Sequence, residues 1–144
     1  VIDLTLYRIA MERINLLLEQ YPKTRIIWRA VPPRHYINGD WNTGGRCDRA
    51  SPCPDAYILP QIDTFESNYW KANVLSDIVR NISTRHGFEY LDILPHSLNR
   101  CDAMVGATPI GDHGTAIADC SHYCVPGVPD AWNTAFVKLL LSSS

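Results

Sequence analysis

Two short runs constrain the fold more than anything else in this chain: Thr24-Arg25-Ile26-Ile27-Trp28-Arg29-Ala30-Val31 and Phe88-Glu89-Tyr90-Leu91-Asp92-Ile93-Leu94. Both are rich in β-branched and aromatic residues, with a near-continuous apolar stretch. That is how a strand buried on both faces of a parallel sheet reads. Each run follows an amphipathic stretch. Over residues 4–20, Ile9, Ile14, Leu17 and Leu18 can form one helical stripe, which Pro22 and Lys23 terminate. Over residues 65–86, Tyr69, Ala72, Leu75, Val79 and Ile82 recur at helical spacing until Gly87. A third helix is expected over 129–141. Pro129 suits its first position, and Trp132, Ala135, Phe136, Leu139 and Leu140 form its inner face.

Irregular segments follow both strands, one over 32–63, rich in proline and glycine, and one over 95–129. The order helix, strand, loop, helix, strand, loop, helix argues for an α/β fold with a parallel sheet. Two strands make a poor sheet alone, so the expectation is that the chain is part of a larger layer. In such folds the loops at the carboxyl ends of the strands carry the site, and long loops are usually functional.

Composition narrows the function classes. Apolar residues make up 46% of the 144 and charged residues 19%, a globular balance. A net charge of −2, with no basic stripe, gives no reason to expect nucleic acid as a partner. No apolar run approaches the length of a membrane span.

Five cysteines stand at Cys47, Cys53, Cys101, Cys120 and Cys124. They can be thiols, metal ligands or disulfides. Cys120-x-His122-x-Cys124 has the look of a zinc corner, but structural zinc takes paired cysteines twice over, and the others are scattered singly. Disulfides imply an oxidising compartment, and the sequon Asn81-Ile82-Ser83 points the same way, with Asn81 as a glycosylation site. An odd count leaves one cysteine unpaired or bonded outside the chain.

Asp119 and His122 stand three apart, ahead of the last helix. A carboxylate so placed can hold the imidazole Nδ1–H while Nε2 takes a proton. It can equally cap a turn beside a surface histidine. The context separates these readings. The segment Asp119-Cys120-Ser121-His122-Tyr123-Cys124-Val125-Pro126-Gly127-Val128-Pro129-Asp130-Ala131-Trp132-Asn133 resembles the C-terminal signature of the plant trichome birefringence-like proteins. These form part of the PC-esterase group of the SGNH/GDSL hydrolases. Their pattern reads D-C-S-H-W-C-L-P-G-x-P-D-x-W-N, from which only Tyr123 and Val125 depart. Arg29-Ala30-Val31-Pro32-Pro33-Arg34-His35-Tyr36 and Gly39-Asp40-Trp41-Asn42-Thr43-Gly44-Gly45-Arg46-Cys47 are similar to a second block of that family. There Ala30 and Pro32 replace the usual Thr and Ser. Arg100 and Asp102 fit a weaker element, without its usual D-G-H-P continuation.

The resemblance implies the C-terminal portion of a three-layer SGNH-like parallel sheet, with long disulfide-tied loops. It implies that residues 1–144 are part of one such domain, with the nucleophile-bearing part upstream. Asp119 and His122 match the family's catalytic acid and base. Its serine lies in a G-D-S block, and no such block occurs here. Gly39-Asp40-Trp41 and Gly111-Asp112-His113 lack the serine, and Ser51, Ser67, Ser76, Ser83, Ser97 and Ser121 have no nucleophile-elbow context. The chain alone is therefore expected to be inactive, since His122 has nothing to deprotonate. The implied activity is O-acyl transfer or hydrolysis, acetyl above all, on a cell-wall or other extracellular polysaccharide. No metal and no organic cofactor is implied, and the setting is the secretory pathway, Golgi lumen or cell wall. The alternative is a non-catalytic structural or carbohydrate-binding module on the same scaffold.

The family also implies a Cys47–Cys120 disulfide, and an off-chain bond for Cys124 to an N-terminal portion or a second chain. Cys53 and Cys101 are left for each other. Arg34 and His35, at the end of a strand, can contact substrate or organise the loop. Trp41 and Tyr36 can stack on a sugar ring, or pack beneath the loop.

Overall fold

The two buried runs pair side by side. In the computed structural model, which describes residues 3–37, 45–47, 68–110 and 115–142, strand β1 (Ile27–Arg29) runs parallel to a strand at Glu89–Leu91, with Trp28 opposite Tyr90. Alternation sends their side chains to different layers. Trp28 packs with Met11, Ile78, Val79 and Ile82, whereas Ile27 and Leu91 pack with Trp132, Ala135 and Leu139.

The other elements follow in chain order. Helix α1 spans Leu4–Leu18, and Asp3 caps it by accepting the backbone N–H of Thr5 at 2.8 Å and of Leu6 at 3.1 Å. After β1 come β2 (Tyr36–Ile37) and β3 (Arg46–Cys47), an antiparallel pair. Helix α2 (Asn68–Arg85) leads to the Glu89–Leu91 strand, β4. Single 3₁₀ turns occupy Leu94–His96 and Cys101–Ala103. Strands β5 (Met104–Ile110) and β6 (Thr115–Tyr123) pair antiparallel before helix α3 (Val128–Ser142). The expected three-layer parallel sheet thus comes down, among the described residues, to the β1–β4 pair and two small antiparallel pairs.

Helix α2 buries the expected face, with Ala72, Leu75, Val79 and Ile82 all in the core. Its end is a Schellman closure. Gly87 takes φ +77°, the Phe88 N–H donates to the Ser83 carbonyl at 3.0 Å, and the Gly87 N–H donates to Thr84 at 3.1 Å.

Two expectations are corrected. In α1 the inner stripe is Leu4, Tyr7, Met11, Asn15 and Leu18, while Ile9, Ile14 and Leu17 face outward. Asn15 hid that stripe. It is fully buried because its Oδ1 accepts the Trp28 indole N–H at 3.0 Å and its Nδ2 donates to the Met11 carbonyl at 2.7 Å. A polar group so satisfied is no obstacle to burial. The segment read as one irregular loop over 95–129 holds the β5–β6 ladder. Gly106 and Pro109 made it look like loop, yet Gly106, at φ +83°, sits at the register shift of that ladder.

Helices α1 and α2 are also joined through His86. Its Nδ1 lies 2.7 Å from Glu19 Oε1 and its Nε2 2.9 Å from Glu12 Oε2, and Arg85 pairs with Glu12 as well. Hydrogen bonding to Glu12, then to Glu19, raises the His86 pKa above its ordinary 6.5. Glu12 is held below 4.5, chiefly by His86 and Arg85. The folded state therefore favours the imidazolium. Its contribution is complete below pH 6.5 and is lost as the pH climbs through the raised value. The Glu12 contribution is present above 4.5 and lost as the pH falls through its lowered value. Melting curves from about pH 5 to 9 are expected to show a decline on the alkaline side that His86→Gln reduces. Parallel curves for the two proteins would refute the link.

Candidate active site

Asp119 and His122 sit at the end of β6, on strand rather than loop. The imidazole Nδ1 is 3.0 Å from Asp119 Oδ1 and 2.9 Å from Oδ2. Oδ1 also accepts the backbone N–H of Ser121 at 3.2 Å and of His122 at 3.1 Å, as well as the Ser121 hydroxyl at 3.2 Å. Partial burial pushes the Asp119 carboxyl up. The Ser121 N–H, the imidazole and the His122 N–H outweigh it and hold the group below 3.8. Asp119 is therefore an anion at neutral pH. A carboxylate there favours the Nδ1–H tautomer, which leaves the lone pair of Nε2 facing outward, where it can accept a proton. The His122 side chain is 77% exposed, so that face is open.

The backbone around the pair is held from beneath. Cys120 forms the expected disulfide with Cys47, tying β3 to β6. The His35 N–H donates to the Cys120 carbonyl and the Cys124 N–H to the Ala103 carbonyl, each at 2.8 Å. With its sulfur in a disulfide, Cys120 offers no thiolate to a metal. Cys101 is also disulfide-bonded, and Cys53, its expected partner, lies outside the described residues. Cys124 is a free, half-buried thiol.

The other sequence candidates fall in different places. Arg34 is exposed. His35 is 2% exposed, its Nδ1 3.0 Å from Cys101 Sγ and its Nε2 3.2 Å from the Tyr123 hydroxyl. Burial lowers its pKa to about 4. Of its two readings, this geometry favours the organiser of the loop over the substrate contact. Tyr36 is buried on β2. Trp41, Ser51 and Ser67 lie outside the described residues. Asn81 is exposed on α2, although Ser83 of its sequon is buried. Ser76, Ser83 and Ser97 are buried, and Ser76 Oγ accepts the Val31 N–H at 2.9 Å. None of these three can meet a substrate beside His122. Sequence reading missed the role of Tyr123, whose hydroxyl lies within hydrogen-bonding distance of Pro33, Ser97 and His35. Its departure from the family's Trp was the available clue.

Comparison with known proteins agrees with the signature. The chain is 35% identical over 115 residues to protein trichome birefringence-like 6 of Arabidopsis thaliana, covering 77% of this chain and 22% of the relative. It is 30% identical over 145 residues to trichome birefringence-like 14 of the same plant, covering 94% and 33%. It is 31% identical over 112 residues to xyloglucan O-acetyltransferase 4 of Populus trichocarpa, covering 78% and 27%. The chain thus spans about a fifth to a third of the length of these curated relatives. No solved structure matches it. The family model described as PC-Esterase, a GDSL/SGNH-like acyl-esterase family found in Pmr5 and Cas1p, matches residues 4–139, and with that match running from α1 into α3 the chain belongs to the PC-esterase family.

Proposed function

We propose that this chain supplies the acid and base of a serine O-acyltransferase or esterase acting on a cell-wall or other extracellular polysaccharide, with acetyl as the group moved. The observation that carries the reading is the His122 Nδ1 bound to both oxygens of Asp119, with the imidazole open to solvent. A serine from outside these 144 residues attacks the donor's acyl carbon, and His122 Nε2 takes the hydroxyl proton and passes it to the donor's leaving group, whose bond to the acyl carbon breaks as the acyl-serine forms. Asp119 stabilises the imidazolium that forms, and a sugar hydroxyl or water then releases the acyl group from the serine. The xyloglucan O-acetyltransferase among the relatives supports acetyl and a plant wall glycan as donor and acceptor classes. Exposed Arg34 and, seven positions further along the chain, Trp41 are the sugar contacts in this reading.

The Cys47–Cys120 disulfide supports an oxidising compartment, the secretory pathway or the wall itself. No helix among the described residues is long and apolar enough to cross a membrane. Cys124, free here, is assigned a partner cysteine outside the 144 residues. A fluorophosphonate probe applied to the folded full-length protein is expected to label one serine, more slowly after His122→Ala. Absence of labelling in the folded protein would replace this reading with that of a non-catalytic module.

A further inference from the structure

His122 makes little packing contact of its own. At 77% exposure its place is set by Asp119 and by the backbone on either side of it. Its neighbour Tyr123 is 9% exposed and packs with Ala103, Met104, Val128 and Trp132. The Tyr123 hydroxyl reaches the far side of that core. It is 3.3 Å from the Pro33 carbonyl, 3.5 Å from the Ser97 carbonyl and 3.2 Å from His35 Nε2. Pro33 and His35 belong to the segment leaving β1, and Ser97 to the segment leaving β4. A single oxygen therefore joins both strand ends of the parallel pair to β6, which carries Asp119 and His122.

The surroundings stiffen this junction. The Trp132 indole N–H donates to Ser97 Oγ at 2.9 Å, and that hydroxyl donates to the Ile93 carbonyl at 2.7 Å. The Tyr123 and Trp132 rings meet edge to face at 5.2 Å. The Arg29 guanidinium lies 5.5 Å above the Trp132 ring. Burial keeps the phenol above its ordinary 10 and the imidazole down to about 4. Neither group changes charge at neutral pH. A Trp at this position has no oxygen to join the same three partners.

We propose that the Tyr123 hydroxyl, seated on His35 and the Pro33 and Ser97 carbonyls, is a positioning group that fixes the height and orientation of the Asp119–His122 pair. The proposal rests on the acyl-transfer reading for its kinetic consequence, though not for its structural one. Tyr123→Phe removes only the oxygen. In the full-length protein it is expected to lower kcat on 4-nitrophenyl acetate roughly ten- to hundredfold, with KM little changed, because a small misplacement of a reacting group costs rate. Asn15→Ala, in the α1 core away from the site, serves as a comparably destabilised control and is expected to leave kcat unchanged. Equal kcat losses in the two variants, or none in Tyr123→Phe, would overturn the proposal. Imidazole ¹⁵N shifts of His122 separate this outcome from the fate of the enzyme reading. The wild type is expected to hold the Nδ1–H tautomer and Tyr123→Phe to move toward the mixture of a free imidazole. If the wild type fails to turn over the ester, the acyl-transfer reading falls. Identical His122 shifts in the two proteins would still dismiss the positioning role.

Discussion

In the full-length protein, His122→Gln is expected to reduce acyl transfer by roughly 10³–10⁴-fold while leaving the fold intact. The imidazole is 77% exposed, and its one side-chain partner is Asp119 among the described residues. A substitution at such a surface position shifts stability by no more than about 0.5 kcal/mol. The activity loss therefore reports chemistry and not unfolding. Asp119→Asn is expected to fall by a similar factor, since an amide leaves Nδ1 and its tautomer undetermined. It carries a further cost of about 1 kcal/mol, because Asp119 also holds the Ser121 and His122 N–H groups. The double variant is expected to be no worse than the poorer single one, as groups acting in one step are not additive. Initial rates on 4-nitrophenyl acetate beside a melting curve for each variant are the measurement. Full activity in His122→Gln would end the claim that this histidine is the base.

Loss of the Cys47–Cys120 bond is the largest stability effect expected. The bond closes a sequence separation of 73 residues, worth roughly 4 kcal/mol in the chain-entropy model. Against a total stability of about 5–15 kcal/mol that is a large share. The effect reaches the site because Cys120, fully buried, lies next to Asp119. Without the bond, β3 and β6 lose their covalent tie, and the strand end that presents the pair loses an anchor. The paired variant Cys47→Ser/Cys120→Ser avoids leaving a reactive thiol in the core. Its urea midpoint is expected well below that of the wild type, with labelling of the serine reduced as well. An unchanged midpoint would show that the crosslink adds nothing the fold does not already supply.

Legibility in the sequence followed the range of the interactions concerned. The strands at Ile27–Arg29 and Glu89–Leu91, the buried face of α2 and the glycine stop at Gly87 are local patterns, and they were readable as such. The α1 face was misread because Asn15 is made compatible with burial by Trp28, which belongs to another element. The β5–β6 ladder was missed because Gly106 and Pro109 read locally as breakers, while pairing across the ladder accommodates them. In the site, Asp119 and His122 were visible as a close pair within a family signature. Their two-oxygen contact, and the burial that took His35 away from the surface, were not.

The amino-acid sequence by itself determined the helix–strand alternation, the family and the proximity of Asp119 and His122, the proposed acid–base pair. Each of these is written in residues that are neighbours along the chain or on one helical face. Tertiary structure alone decided which way that pair is held. His35 and Tyr123 are 88 positions apart, and Cys47 and Cys120 are 73 apart. Such contacts form only when the ends of β1 and β4 and the end of β6 are brought into one core, where buried polar groups must find one another because no water remains to satisfy them.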